Sequence, residues 1–221
     1  MSILLPRFTS SLKYGSKLEF TKTMPYNKFT LRKVVQDFSL MIVEGDTFIP
    51  ELESVAPSEL LRETLADSLP WAIAVSSEKA RSEAIITPIL LEVRRRLNRQ
   101  VSVFSGEDFT VDVEAELSGR CDFLVSKSAE QLFIKAPAVI IVEAKKEDTK
   151  SGLGQCAAEM VAAQIFNEMA SSSISVIYGC VTSGTAWRFL KLEGQTLTID
   201  LADYPLPPVD RVLSILLWML R

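Results

Sequence analysis

The chain contains no histidine. That absence removes Ser-His-Asp triads, Cys-His nucleophile pairs, HExxH zinc sites and histidine-bearing nuclease motifs. Any hydrolytic chemistry must then rest on carboxylates, lysine and metal-bound water. Cysteine is scarce too. Cys121, Cys156 and Cys180 are scattered in apolar contexts, an unspaced set that makes neither a disulfide framework nor a zinc site. They are expected to be reduced core residues. No Gly-rich phosphate loop or dinucleotide fingerprint is present. Positive charge is not in excess: 24 Lys and Arg face 28 Asp and Glu, for a net charge of −4. This argues against a protein that coats nucleic acid non-specifically, though it leaves room for a local basic groove. Long apolar runs are missing as well. The run Val212 to Leu220 is about half of what a bilayer span needs, and Met1 to Pro6 is too short for a signal peptide. A cytoplasmic protein without membrane contact is therefore expected.

What remains is an ordinary globular composition, 48% apolar and 24% charged over 221 residues. One domain with an appendage fits that length. Residues 1–72 read as an N-terminal extension that packs on the core or on a partner. Short strand-like runs occur there at Leu18 to Phe20, Phe38 to Val43 and Phe48-Ile49. Ser58 is placed to cap a helix that ends near Pro70. Residues 73–221 form the main domain. Ser76 or Ser77 caps a helix to about Leu97, with an apolar stripe of Ile85, Ile86, Ile89, Leu90, Val93 and Leu97 that Pro88 should bend. Arg94, Arg95, Arg96 and Arg99 crowd its C-terminal end. They suit the helix dipole there, as a solvated helix end or as a phosphate-contact patch.

Strands follow at Val101 to Phe104 with Phe109 to Val113, taken as one bent strand, then at Arg120 to Ser126 and Ala138 to Ala144. A helix from about Gln155 to Met169 precedes a strand at Ser175 to Val181. A hairpin, Trp187 to Leu192 and Thr196 to Ile199, turns at Glu193-Gly194-Gln195, and a helix from Asp210 to Leu220 closes the chain. The fold class is therefore α/β (α+β).

The chemistry concentrates where Ala138-Val139-Ile140-Ile141-Val142 runs into Glu143-Ala144-Lys145. An apolar β-branched run reads as a buried strand, and a buried strand should not end in a carboxylate and an ammonium unless both have partners. Glu143 and Lys145 are two apart and share a face. The triplet alone means little, since a chain of this length holds roughly one Glu-x-Lys by chance. A second acid, Asp122, lies in the preceding strand. Two carboxylates and a lysine at one sheet edge would suit Mg²⁺, which takes one or two carboxylates plus waters and phosphate. Asp148-Thr149-Lys150 is a similar triplet in polar turn sequence and is discounted.

Arg120-Cys121-Asp122, then Glu143-Ala144-Lys145, then a helix bearing Gln155 resembles the PD-(D/E)xK restriction-endonuclease-like superfamily. The closest flavour is the N-terminal nuclease domain of type I restriction subunits. The resemblance covers about residues 77 to 190. It departs at Cys121, where the family often has proline. It implies an αβββαβ core with a central mixed sheet flanked by helices, and a Mg²⁺ (or Mn²⁺) dependent DNA endonuclease that hydrolyses phosphodiesters with metal-activated water. Asp122 and Glu143 would be metal ligands, Lys145 would orient water or stabilise the phosphate, and Gln155 would match the extra glutamine of several subfamilies. The family often adds a glutamate from the first core helix. Glu78 and Glu83 flank the apolar stripe about equally, so helical geometry does not choose; the resemblance favours Glu83 as a third ligand, with Glu107 a weaker option. Gln155 could instead bond the free N–H groups of a helix start, and Glu159, one turn on, is expected on a solvated face. The partners implied are DNA or another nucleic acid, with a homodimer or a separate specificity subunit. The alternative is a catalytically silent nuclease-fold module for nucleic-acid or protein binding.

Overall fold

The computed structural model describes residues 26–45, 47–146 and 148–221. The run Leu18 to Phe20 and the segment Met1 to Pro6 lie outside them. Along the described chain come α1 (Leu31–Asp37), β1 (Met41–Glu44), α2 (Glu59–Val75), α3 (Glu78–Arg81), a π-helical turn (Ser82–Ile86) and α4 (Thr87–Arg96). There follow β2 (Ser102–Asp108), β3 (Arg120–Ser126), β4 (Ala138–Ala144), α5 (Thr149–Met169), β5 (Val176–Thr182), β6 (Ala186–Glu193), β7 (Thr196–Ile199), β8 (Tyr204–Pro205) and α6 (Asp210–Met219).

The strands build one mixed eight-stranded sheet in the order β1-β7-β6-β5-β4-β3-β2, with β8 paired to β6. β2, β3 and β4 run antiparallel in sequence, and β4 pairs parallel with β5 through the crossover helix α5. A parallel neighbour requires such a crossover. β4 is buried at every position, as its run of Val and Ile demands. Helices cover both faces. One apolar cluster joins α2, the π turn, α4 and α6 to the sheet, and the other joins α1 and α5 to the opposite face.

Several elements differ from the sequence reading, each for a local reason. α1 was not expected; Thr30 caps it by accepting from the Lys33 N–H. β1 begins only at Met41 and pairs parallel with β7, so the segment 1–72 supplies an edge strand. Phe48-Ile49 forms no strand. Ser58 caps α2 as expected, yet the helix runs through Pro70 to Val75 and stops at Ser76, which takes a left-handed φ of 54°. Pro88 is absorbed by the π turn before it: the Thr87 N–H reaches back five residues to the Ser82 carbonyl. Proline has no N–H to offer four residues back. The Ala84 carbonyl instead accepts from the Ser68 hydroxyl at 2.6 Å. Phe109 to Val113 is not strand. It belongs to a turn closed by the Asp112–Leu117 bridge, with Phe109 in the core under the Tyr26 hydroxyl.

α5 begins at Thr149, capped by Asp148, so Asp148-Thr149-Lys150 is a helix start and not a turn. This helix is enclosed on two sides. Its inner face packs on β4 and β5, and the Tyr26–Asp37 segment lies against its outer side. A Cβ added at Gly154 would fall 2.3 Å from the Phe29 carbonyl oxygen. Only glycine admits that backbone approach.

Candidate active site

β3 and β4 bring the expected residues together at one end of the sheet. Phe123 pairs with Val142, and beyond that point the ladder is continued by a side chain: Asp122 Oδ2 accepts the Ala144 N–H at 2.8 Å. On the other side, Glu143 lies opposite Val181 of β5, and the Lys145 N–H donates to the Thr182 carbonyl at 2.8 Å. The end of β4 is therefore fixed from both neighbours, on rigid strands.

Side chains then form a chain of contacts. Lys145 Nζ donates to Glu143 Oε1 and, at 3.4 Å, to Gln155 Oε1. Gln155 Nε2 donates to Glu159 Oε1 at 3.1 Å. Gln155 lies in the second turn of α5, so its amide is not spent on the N–H groups of the helix start. Glu159 overturns its expected solvated position: it is 0% exposed. Its burial follows from the enclosure of α5, which leaves no solvated face at that height. Glu143 is likewise 0% exposed, while Asp122, Lys145 and Gln155 are half-buried. Among the described residues, the Oε2 atoms of both Glu143 and Glu159 have no hydrogen-bond partner.

The electrostatics follow from this burial. Loss of water pushes the Glu143 carboxyl up to about 8, helped by the nearby Asp122 charge and opposed by Lys145. Burial also pushes Glu159 well above the usual carboxylate range, and the Glu143 charge adds to it. For Lys145, burial acts to lower the pKa, but the charge and hydrogen bond of Glu143 outweigh it and the value rises. Two carboxyls that resist ionisation beside a lysine form a site short of positive charge.

The first helix contributes from above. Glu78, Ser82, Glu83 and Thr87 line a cleft of about 230 Å³ with Gly106 and Asp122. The Glu78 charge acts on both Glu143 and Lys145. Glu83, favoured from the sequence, pairs with Lys79 at 2.8 Å with 60% of its side chain exposed. Glu107 is exposed on β2, opposite Cys121. Arg81 holds α3 in place: its buried guanidinium donates to the Ser183 carbonyl at 2.9 Å in the turn after β5. Of the four arginines, Arg95 and Arg96 pair with the buried Glu92, while Arg94, Arg95 and Arg99 line a separate groove over Leu60 and Leu91. Close packing under the site depends on Gly152, where an added Cβ would sit 2.6 Å from Val181 Cγ1 and 3.2 Å from both Glu143 Cγ and Lys145 Cε.

Among the described residues, no group of three or more His, Cys, Asp or Glu stands ready-made around a metal position. The donor chemistry nonetheless fits a hard divalent cation. Such an ion takes one or two carboxylates and keeps several waters. Glu143 has an unpartnered buried oxygen, and the Ala144 N–H uses only one oxygen of Asp122. No helix among the described residues is long and apolar enough to cross a membrane. Neither the protein-family models, nor the curated proteins, nor the solved structures contain a match to this chain.

Proposed function

We propose that this chain is a Mg²⁺ (or Mn²⁺) dependent DNA nuclease of the PD-(D/E)xK restriction-endonuclease-like kind. The observation that carries the reading is the meeting of Asp122, Glu143 and Lys145 at the end of β4, with a buried Glu143 oxygen left without a partner. The order of elements supports it: a helix, three antiparallel strands, a crossover helix and a parallel strand. Asp122 and Glu143 would hold the cation, with Glu78 or Glu83 as the helix carboxylate. When bound there, the ion supplies a lowered pKa for water and offsets charge on the scissile phosphate.

The residues themselves do the rest. Asp122 is held by the Ala144 N–H, so its carboxylate has one orientation. Lys145 carries three donors. Glu143 and Gln155 take two, and the third would serve a phosphate oxygen or the attacking water. The half-buried position of Lys145 admits solvent to that side. DNA is the proposed substrate, with specificity supplied by a second copy or a separate subunit. The silent-module alternative has its own support, since Lys145 already donates to Glu143 and Asp122 already caps a strand.

Cleavage of linear, nicked and branched DNA, with and without Mg²⁺ or Mn²⁺, separates the two readings. Lys145→Ala should lower the cleavage rate by about 10²–10³-fold, the usual cost of one transition-state donor. Asp122→Asn should abolish metal uptake in calorimetry. Cleavage that survives both substitutions sinks the nuclease reading, and a folded wild type that takes up no metal favours the module.

A further inference from the structure

Glu159 is left unused by the nuclease reading, although burying a carboxyl is costly. It sits one turn after Gln155 on α5, is fully enclosed, and accepts the Gln155 Nε2 donor at 3.1 Å. Gln155 can present either its carbonyl or its NH₂ towards Lys145, because its side-chain amide can turn over. Lysine has only donors to offer, so Lys145 needs the carbonyl. A glutamate at position 159 offers an acceptor that draws the NH₂ group the other way. The two preferences agree, and the observed contacts run Lys145 Nζ to Gln155 Oε1 and Gln155 Nε2 to Glu159 Oε1.

We propose that Glu159 is a positioning residue: through Gln155 it fixes the direction of the Lys145 ammonium at the end of β4. The inference rests on the nuclease reading for its rate effects but not for its geometry. Glu159 touches neither substrate nor phosphate. Its second oxygen is unpartnered and buried, so its presence works against stability. Replacing a buried carboxyl that has one unpartnered oxygen by a hydrophobic residue of similar volume removes that desolvation cost. A purely structural role for Glu159 would give the opposite result.

The test is a double-mutant cycle on the full chain with Glu159→Leu, Gln155→Leu and the pair, plus Glu159→Gln as the conservative variant. Glu159→Leu should lower the cleavage rate about tenfold or more, with an unchanged or raised Tm. It should have no further effect once Gln155 is leucine. Glu159→Gln keeps an acceptor oxygen and should recover most of the rate. Losses that multiply in the double mutant, or a fall in Tm that tracks the fall in rate, overturn the proposal. A second readout is independent of cleavage. The ¹⁵N-ammonium signal of Lys145 should be observable by NMR in the wild type and in Glu159→Gln, and be lost in Glu159→Leu. If the wild type cuts no DNA with any divalent ion, the nuclease reading fails while this signal still decides the positioning role. A signal that persists in Glu159→Leu refutes it. Should Glu159→Leu not fold, loss of the signal in Gln155→Leu supports the relay and its persistence overturns it.

Discussion

Glu92 and Glu143 are both buried carboxylates, and the fold treats them in opposite ways. Glu92 accepts from the Ser58 N–H at 3.1 Å, the Ser58 hydroxyl at 2.9 Å and Arg96 Nε at 2.7 Å, and it pairs with Arg95 at 3.0 Å. Both of its oxygens are engaged. Burial alone would raise its pKa, but Arg96 and Ser58 hold it below the ordinary glutamate value. Glu143 has Lys145 on one oxygen and, among the described residues, nothing on the other, and burial pushes it to about 8. The first carboxylate ties the start of α2 to the end of α4. The second leaves coordination capacity unspent, the arrangement expected where a ligand completes the site.

The largest effect that could break this contrast is on stability. Glu92→Ala leaves two arginines and the Ser58 donors without their acceptor, which should cost about 3–5 kcal/mol. At roughly 2–4 °C per kcal/mol for a chain of this size, Tm should fall by about 6–20 °C. A loss under about 1 kcal/mol would mean that the two carboxylates are not so different. The pH dependence sharpens the point, because the signs oppose. The folded pKa of Glu92 is lowered, so its contribution is present above the unfolded value and is lost as pH falls through the folded one. The folded pKa of Glu143 is raised, so its contribution is present below the unfolded value near 4.5 and is lost as pH rises to about 8. Denaturant melts across that window should show wild-type stability falling by on the order of 5 kcal/mol, with a shallower slope in Glu143→Gln, where only the raised Glu159 carboxyl still contributes. A flat wild-type profile would contradict the assigned burial.

Gly152→Ala is a smaller test. Alanine is the better helix former by up to about 1 kcal/mol. Its Cβ would nevertheless press on Val181, Glu143 and Lys145, and overpacking costs about 1–3 kcal/mol. A net loss in Tm together with slower cleavage is expected, and a gain in Tm would show that the site has room. The smallest effect concerns the helix carboxylates. Glu83→Ala removes an exposed pair with Lys79 and should leave Tm unchanged. Glu78→Ala should slow cleavage more than Glu83→Ala does, since the Glu78 charge reaches Glu143 and Lys145. The reverse ranking would restore Glu83 as the third ligand.

The sheet's inner strands were legible because their signal is local. Arg120–Ser126 and Ala138–Ala144 are the residues of β3 and β4, marked by apolar β-branched runs and bounding turns. Ser58 and Ser77 announced two helix starts through side-chain caps that need no tertiary partner. Glu143 and Lys145 drew notice for a local reason too, as charges at the end of an apolar run. α1 and the fate of Phe109 to Val113 were less legible. A seven-residue helix has too few positions for a periodic stripe, and Phe109 is buried by a turn under Tyr26, not by strand pairing. Glu159 was misread because periodicity assumes one wet face, and α5 is enclosed on two.

By itself, then, the sequence determined which residues carry charge into the interior and which strands deliver them, since both follow from neighbours a few positions apart. Only the tertiary structure decided how that charge is treated. The satisfaction of Glu92 depends on Ser58, thirty-four residues away, and the exposure of Glu159 depends on Tyr26–Asp37 lying across α5. Dielectric environment and hydrogen-bond count are properties of the packed surroundings. They separate a carboxylate that holds two helices together from one left with an open oxygen at the end of β4.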